Sequence, residues 1–354
     1  MQKLPPSKLT KKHMIAGAII LALAFGFGVW KFSERRVGEG TVEQEGVSIV
    51  EAVAVRDPLS GLRIASEPLG LSRVYAVMID NSIDAWPVSG IDKAFLVIEA
   101  PVEASIPRLE AFFSSDTDVE KIGPVRSARP YFVDWANEFD ALYAHVGGSN
   151  AALDLIASTG TFDLNEFYNG ASFWRSSDRF APHNAYTSTE LLASAVTRSE
   201  ERGRAHEVMY GIWEFKDGEQ GEKDESSEGG VTVRFNSDLY AVDWAYSVEN
   251  GTYDRSQGGH AAQTSDGIRL TATNVAIVVT DIEVLDAVGR REVRTVGEGK
   301  AWLFQDGKTI EAIWKKPSVS ERLAFYDASG GQIAMNAGNT WIEVVSDESD
   351  VTIE

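Results

Sequence analysis

The chain has 354 residues, 44% of them apolar, with nine tryptophans and no cysteine. That is enough core for one or two globular domains, and it excludes disulfides, thiolate metal sites and a lipid-bearing cysteine. Net charge is −20, and the four lysines of residues 1–13 face no acid there, so residues 14–354 carry −24; so acidic a body excludes nucleic acid as a partner and repels anionic headgroups.

Lys3, Lys8, Lys11 and Lys12 form the head, residues 1–13, before an apolar run from Met14 to Trp30 that Lys31 closes. At about 1.5 Å per residue the run reaches about 26 Å, and Phe32 extends it toward the ~30 Å of a hydrocarbon core. Residues 14–32 are therefore expected to form a single-pass transmembrane anchor. Gly28-Val29-Trp30 lacks the small-x-small pattern of a cleavage site, so the anchor is expected to be kept. The lysine bias puts the head in the cytoplasm and the bulk of the chain outside the cell membrane.

Residues 33–71, with Gly38, Gly40, Gly46, Pro58 and Gly61, predict a juxtamembrane stalk. Residues 72–215 predict a mixed α/β domain. Val74–Ile79, Ala94–Ile98 and Leu109–Phe113 are short apolar runs of strand length, and Ala141–Val146 is another. Pro130 opens a helix at its first turn, Gly147-Gly148-Ser149 opens a second, and Thr187 or Ser188 caps a third. Residues 216–230 are acidic and glycine-rich, a flexible linker. Residues 231–354 predict a β-rich domain, with Asp306-Gly307 as a hairpin turn. The expected fold class is thus α+β: one N-terminal transmembrane helix, a mixed α/β domain, then a β-rich domain.

Four clusters carry candidate chemistry. Arg126 and Arg129, three residues apart before a helix, have the forked donors and position to hold a carboxylate or phosphate; the alternative is that each pairs with a local acid. His145, Gly147, Gly148 and Ser149 form a glycine turn at a strand end, where ligands of α/β layers lie, although Ser149 also suits a helix cap. His183 and Asn184 follow Pro182 in a loop. Asp80, Glu99 and Glu103 stand near strand ends and are the carboxylates available for acid–base work on a glycosidic bond, or for a buried network with arginine. The five histidines show no ligand-pair spacing and no EF-hand pattern is present, so neither a metal nor a cofactor is expected.

In order along the chain, Asp57–Leu62 (DPLSGL), Val77–Asn81 (VMIDN), Ile122–Pro130 (IGPVRSARP), His145–Ser149 (HVGGS) and Pro182–Asn184 (PHN) resemble the landmarks of YerB-like bacterial envelope proteins. Tyr253, Arg255, Gly259, Asn274, Gly299, Asp306-Gly307, Trp314 and Trp341 extend the resemblance into the C-terminal part. It implies an extracytoplasmic domain pair without an assigned reaction, held in many members by a lipidated cysteine. This chain departs from the pattern at Ala104-Ser105, where two glycines are usual, and around Gln263, where a His-x-Asp element is usual. The residues together predict a membrane-tethered binding or scaffolding protein that recognises an anionic cell-wall fragment or an acidic peptide. An envelope polysaccharide hydrolase and a purely structural module for a partner protein are the rival readings.

Overall fold

The structure, a computed structural model, describes residues 55–64, 70–217, 229–235 and 237–354. The expected anchor, residues 14–32, lies outside the described residues, as do the head, most of the stalk and the centre of the linker.

Five strands of the first half are β1 (Val74–Ile79), β2 (Leu96–Pro101), β3 (Pro107–Ser114), β4 (Leu142–His145) and β5 (Asp163–Asn165). The second half adds β6 (Gly230–Arg234), β7 (Ala241–Ser247), β8 (Thr252–Gln257), β9 (Asn274–Val279), β10 (Gly297–Gln305), β11 (Lys308–Lys316), β12 (Ala324–Tyr326), β13 (Thr340–Val345) and β14 (Val351–Ile353). Ten of these join one sheet in the order β12-β11-β10-β9-β13-β2-β3-β1-β4-β5. Three α-helices are described: α1 (Pro130–Asn137), α2 (Asn150–Thr159) and α3 (Thr189–Glu201).

The expected fold class needs correction. Strands dominate the described residues, and no described helix is long and apolar enough to cross a membrane. Nor do the strands divide into a mixed layer followed by a separate β-rich one. Near the C-terminus, β13 runs parallel to both β9 and β2, with Thr340 opposite Leu96 and Glu343 opposite Glu99, so one sheet passes through both halves. Every residue of β13 is buried, as expected of a central strand covered on both faces.

Alternation sorts the side chains of the sheet into two layers. Val74, Ala76 and Met78 of β1 face Phe132 and Trp135 of α1 and Ala152 and Ile156 of α2. Tyr75, Val77 and Ile79 face the opposite layer, built from Leu192 and Ala195 of α3 and from Val233, Trp244 and Tyr253 of a second, antiparallel sheet containing β6, β7, β8 and β14. The hairpin expected at Asp306-Gly307 joins β10 to β11, with both residues at positive φ (54° and 73°), as a tight two-residue turn demands.

Candidate functional site

Strands β1, β4 and β5 run parallel, so their C-terminal ends open at one edge of the sheet, where α/β layers usually receive ligands. Asp80 follows β1 there, the 146–149 turn follows β4, and Phe167 and Tyr168, both exposed, follow β5.

Asp80 is the centre of a compact polar set. Its backbone N–H donates to Pro124 O at 2.8 Å, which fixes the residue as the strand ends. Oδ1 accepts from the Ser82 amide (3.0 Å) and hydroxyl (2.9 Å). Oδ2 meets His183 Nδ1 at 2.7 Å and Arg126 Nε at 3.0 Å. Burial would raise the Asp80 carboxyl, but Arg126, the two Ser82 bonds and His183 outweigh it and hold the pKa below the ordinary carboxylate value. The carboxylate is therefore a fixed anion that orients two cation-capable groups. His183 Nε2 makes no hydrogen bond to any described residue.

Arg126 is tied down by its backbone, its N–H donating to Met78 O (2.9 Å) and its C=O accepting from Val146 N (3.0 Å). Its side chain is 24% exposed, and beyond the Nε contact to Asp80 its terminal nitrogens have no partner among the described residues. Arg129 differs. Its Nε and Nη2 both bond the Glu103 carboxylate at 2.7 Å, and Nη1 bonds Ala128 O, so the fork is occupied. Behind both lies buried Arg108, which donates to Ser127 O; burial and then the neighbouring Arg129 and Arg126 charges pull it down to about 10. Of the two arginines singled out in the sequence, only Arg126 has terminal nitrogens without a hydrogen-bond partner among the described residues.

The remaining candidates hold the scaffold. His145 is fully buried, with Nε2 against Asp163 Oδ1 (2.6 Å) and Nδ1 against Gly147 O (2.7 Å), so both nitrogens face acceptors and neither reaches a ligand. Gly147 lies at φ +60°, and a Cβ there would stand 2.8 Å from the Phe167 ring, so glycine is required. Gly148 packs beside Ala128 and Leu153. Ser149 accepts from Ala152 N and caps α2. Asn184 closes the loop that carries His183, its carbonyl accepting from Ser176 N and its Oδ1 from Arg175.

The three carboxylates proposed for acid–base work are not gathered at one opening. Glu103 belongs to Arg129 and Asp80 to Arg126 and His183. Glu99 is fully buried between Arg255 Nη2 (2.7 Å) and Asn81 Nδ2 (2.7 Å), so it has no access to a substrate. Its neighbour across the β2–β13 seam is buried Glu343, which accepts from Trp244 Nε1 at 2.9 Å. Burial and then the Glu99 charge push Glu343 well above the carboxylate range, so it keeps its proton inside the fold. Sequence reasoning did not single out Asp163, Ser82 or Glu343. Of the three, Ser82 alone carries a local signal, a hydroxyl two residues past Asp80 in the tight loop after a strand.

Residues 59–202 match the family described as "Protein of unknown function (DUF3048) N-terminal domain", and residues 231–342 match its C-terminal domain. The chain is 32% identical over 298 residues to a protein of Bacillus subtilis described as "Putative lipoprotein YerB", covering 84% of this chain and 88% of that one. The chain belongs to the YerB-like DUF3048 family. The crystal structure of YerB from Bacillus subtilis, 30% identical, matches with a TM-score of 0.75 over 85% of this chain and 99% of that chain. The YerB-like match therefore spans both the edge that carries Asp80 and the seam that carries Glu99. Ala104 lies at φ +58°, a conformation glycine adopts without a Cβ clash.

Proposed function

We propose that this chain is an extracytoplasmic protein of the bacterial cell envelope that binds an anionic cell-wall fragment or acidic peptide at the C-terminal ends of β1, β4 and β5. The envelope assignment follows its relative, which is described as a lipoprotein. One observation carries the binding role: the part-exposed Arg126 fork keeps free donors while buried Asp80 holds its stem and fixes His183 beside it. A preoriented guanidinium loses little freedom on capturing a carboxylate or phosphate, and its charge-assisted bonds are the strong kind. Exposed Phe167 and Tyr168 add apolar contact at the same edge.

The test is calorimetric titration of soluble wall fragments and of an acidic peptide into wild-type and Arg126→Ala protein. Loss of one charge-assisted contact, about 1.5–3 kcal/mol, predicts a roughly ten- to hundredfold weakening. Arg129→Ala is expected to change affinity much less, because its fork is spent on Glu103. Unchanged affinity in Arg126→Ala overturns the assignment.

A further inference from the structure

The connector from Asp80 to Trp86 borders two different environments. On one side Ser82 touches His183 and Asp80. On the other, Ile83 and Trp86 line a cavity of about 240 Å³ together with Leu239, Tyr240, Gln257, Gly258 and His260, among others. Adjacent Cα atoms are about 3.8 Å apart, and Ser82 of the polar set is followed directly by Ile83 of the cavity wall.

That wall is held from both directions. Trp86 Nε1 donates to Asn81 Oδ1 at 2.6 Å, and Arg179 bonds Asp84 O (3.0 Å) and Pro87 O (2.6 Å) from the His183 loop. Ile83 and Leu239, from distant parts of the chain, remain about half exposed beside the cavity. The Trp86 indole N–H is used by Asn81 and the Gly258 N–H by Ala241 O, so these polar groups ask nothing of an occupant. The volume is below the ~300–1,000 Å³ of a pocket that encloses a whole small molecule, which suits one arm of a ligand.

We infer that the ligand of the Arg126 site is an anionic amphiphile, whose phosphate or carboxylate head pairs with Arg126 while an alkyl arm enters the cavity between the 82–86 connector and Leu239-Tyr240. This rests on the anion-binding reading above and adds the apolar half of the ligand. An alkyl arm fits better than a peptide segment because it brings no backbone donors or acceptors into a cavity that offers few.

The experiment titrates three phosphates (inorganic, butyl and hexyl) and, as the rival ligand, an acidic peptide into the full chain, with Leu239→Gln, Ile83→Gln and Arg126→Ala as variants. Affinity is expected to rise roughly threefold to fourfold per methylene until the cavity is filled. Leu239→Gln and Ile83→Gln, both at exposed positions, should remove that gain and leave phosphate binding unchanged, whereas Arg126→Ala should weaken all three phosphates. Phosphate binding that depends on Arg126 but gains nothing with chain length overturns the amphiphile and leaves the anion site standing. A gain that survives both glutamine variants puts the arm elsewhere and also overturns it. Phosphate affinity unchanged in Arg126→Ala removes the anion site itself. An acidic peptide that binds more tightly than hexyl phosphate, and loses that advantage in Leu239→Gln, replaces the amphiphile with a peptide.

Discussion

Asp80 and Asn81 are neighbours, yet they serve two arginine–carboxylate centres of opposite character. The Asp80 carboxylate holds Arg126, whose side chain is 24% exposed, whereas Asn81 reaches into the seam where Glu99 and Arg255 are both fully excluded from solvent. Around Arg255 stand the rings of Trp86, Trp244 and Trp341, at 5.0–5.9 Å. The same ion-pair chemistry therefore stands part-open at the sheet edge and sealed inside. Accessibility of the cation separates the two, not its identity.

The largest effect that would sharpen this contrast is on stability. Arg255→Ala leaves Glu99 in the core without its ion-pair partner, and should cost about 3–5 kcal/mol in urea unfolding. Arg126→Ala, at the open centre, should cost about 1 kcal/mol or less. Equal costs would break the comparison.

A smaller effect is a pH dependence that comes from the sealed layers. Glu343 and Glu110 are buried with pKa raised well above 4.5, in Glu110 by burial and then by the Glu138 and Asp134 charges. Each keeps its proton in the fold while the unfolded chain releases it, so stability falls as pH rises above about 4.5 until the folded carboxyl itself ionises, with a limiting slope of about 1.4 kcal/mol per pH unit per group. Glu343→Gln should flatten that decline in unfolding measured from pH 5 to 8; an unchanged profile contradicts the neutral Glu343. Asp80 has the opposite sign. Its lowered pKa stabilises the fold above the unfolded value of 3.8 and is lost as pH falls through the folded value, so Asp80→Asn should lose about 1–3 kcal/mol at pH 7 and nothing at the acid end.

How much of this was legible in the sequence follows the range of the interactions. β1 has the predicted limits, Val74–Ile79, because an apolar run bounded by a polar pair is a local signal. The helix starts at Pro130, Ser149 and Ser188 were legible for the same reason. β8 was not, since its inward residues include Arg255, which breaks the apolar pattern and becomes tolerable only opposite Glu99, 156 residues away. The insertion of β13 between β9 and β2 is a long-range pairing that no local pattern encodes. At the site, the Arg126 motif and His183 were readable, but their meeting on Asp80 was not. His145 looked available because its partner Asp163 lies 18 residues on.

The smallest expected effect is at Ala104. Relief of its positive φ by Ala104→Gly, offset by the greater freedom of unfolded glycine, should stabilise by about 0.5–1 kcal/mol in thermal unfolding. A loss of stability would show that the methyl group contributes packing there.

The most direct measurement is the paired calorimetry of wild-type and Arg126→Ala protein against soluble anionic wall fragments, with urea unfolding run on the same samples. The expected result is binding weakened roughly ten- to hundredfold with stability nearly unchanged. Undiminished binding in Arg126→Ala, or a loss of affinity that only follows a loss of fold, would contradict the division of the molecule into an open, ligand-taking centre and a sealed, structural one.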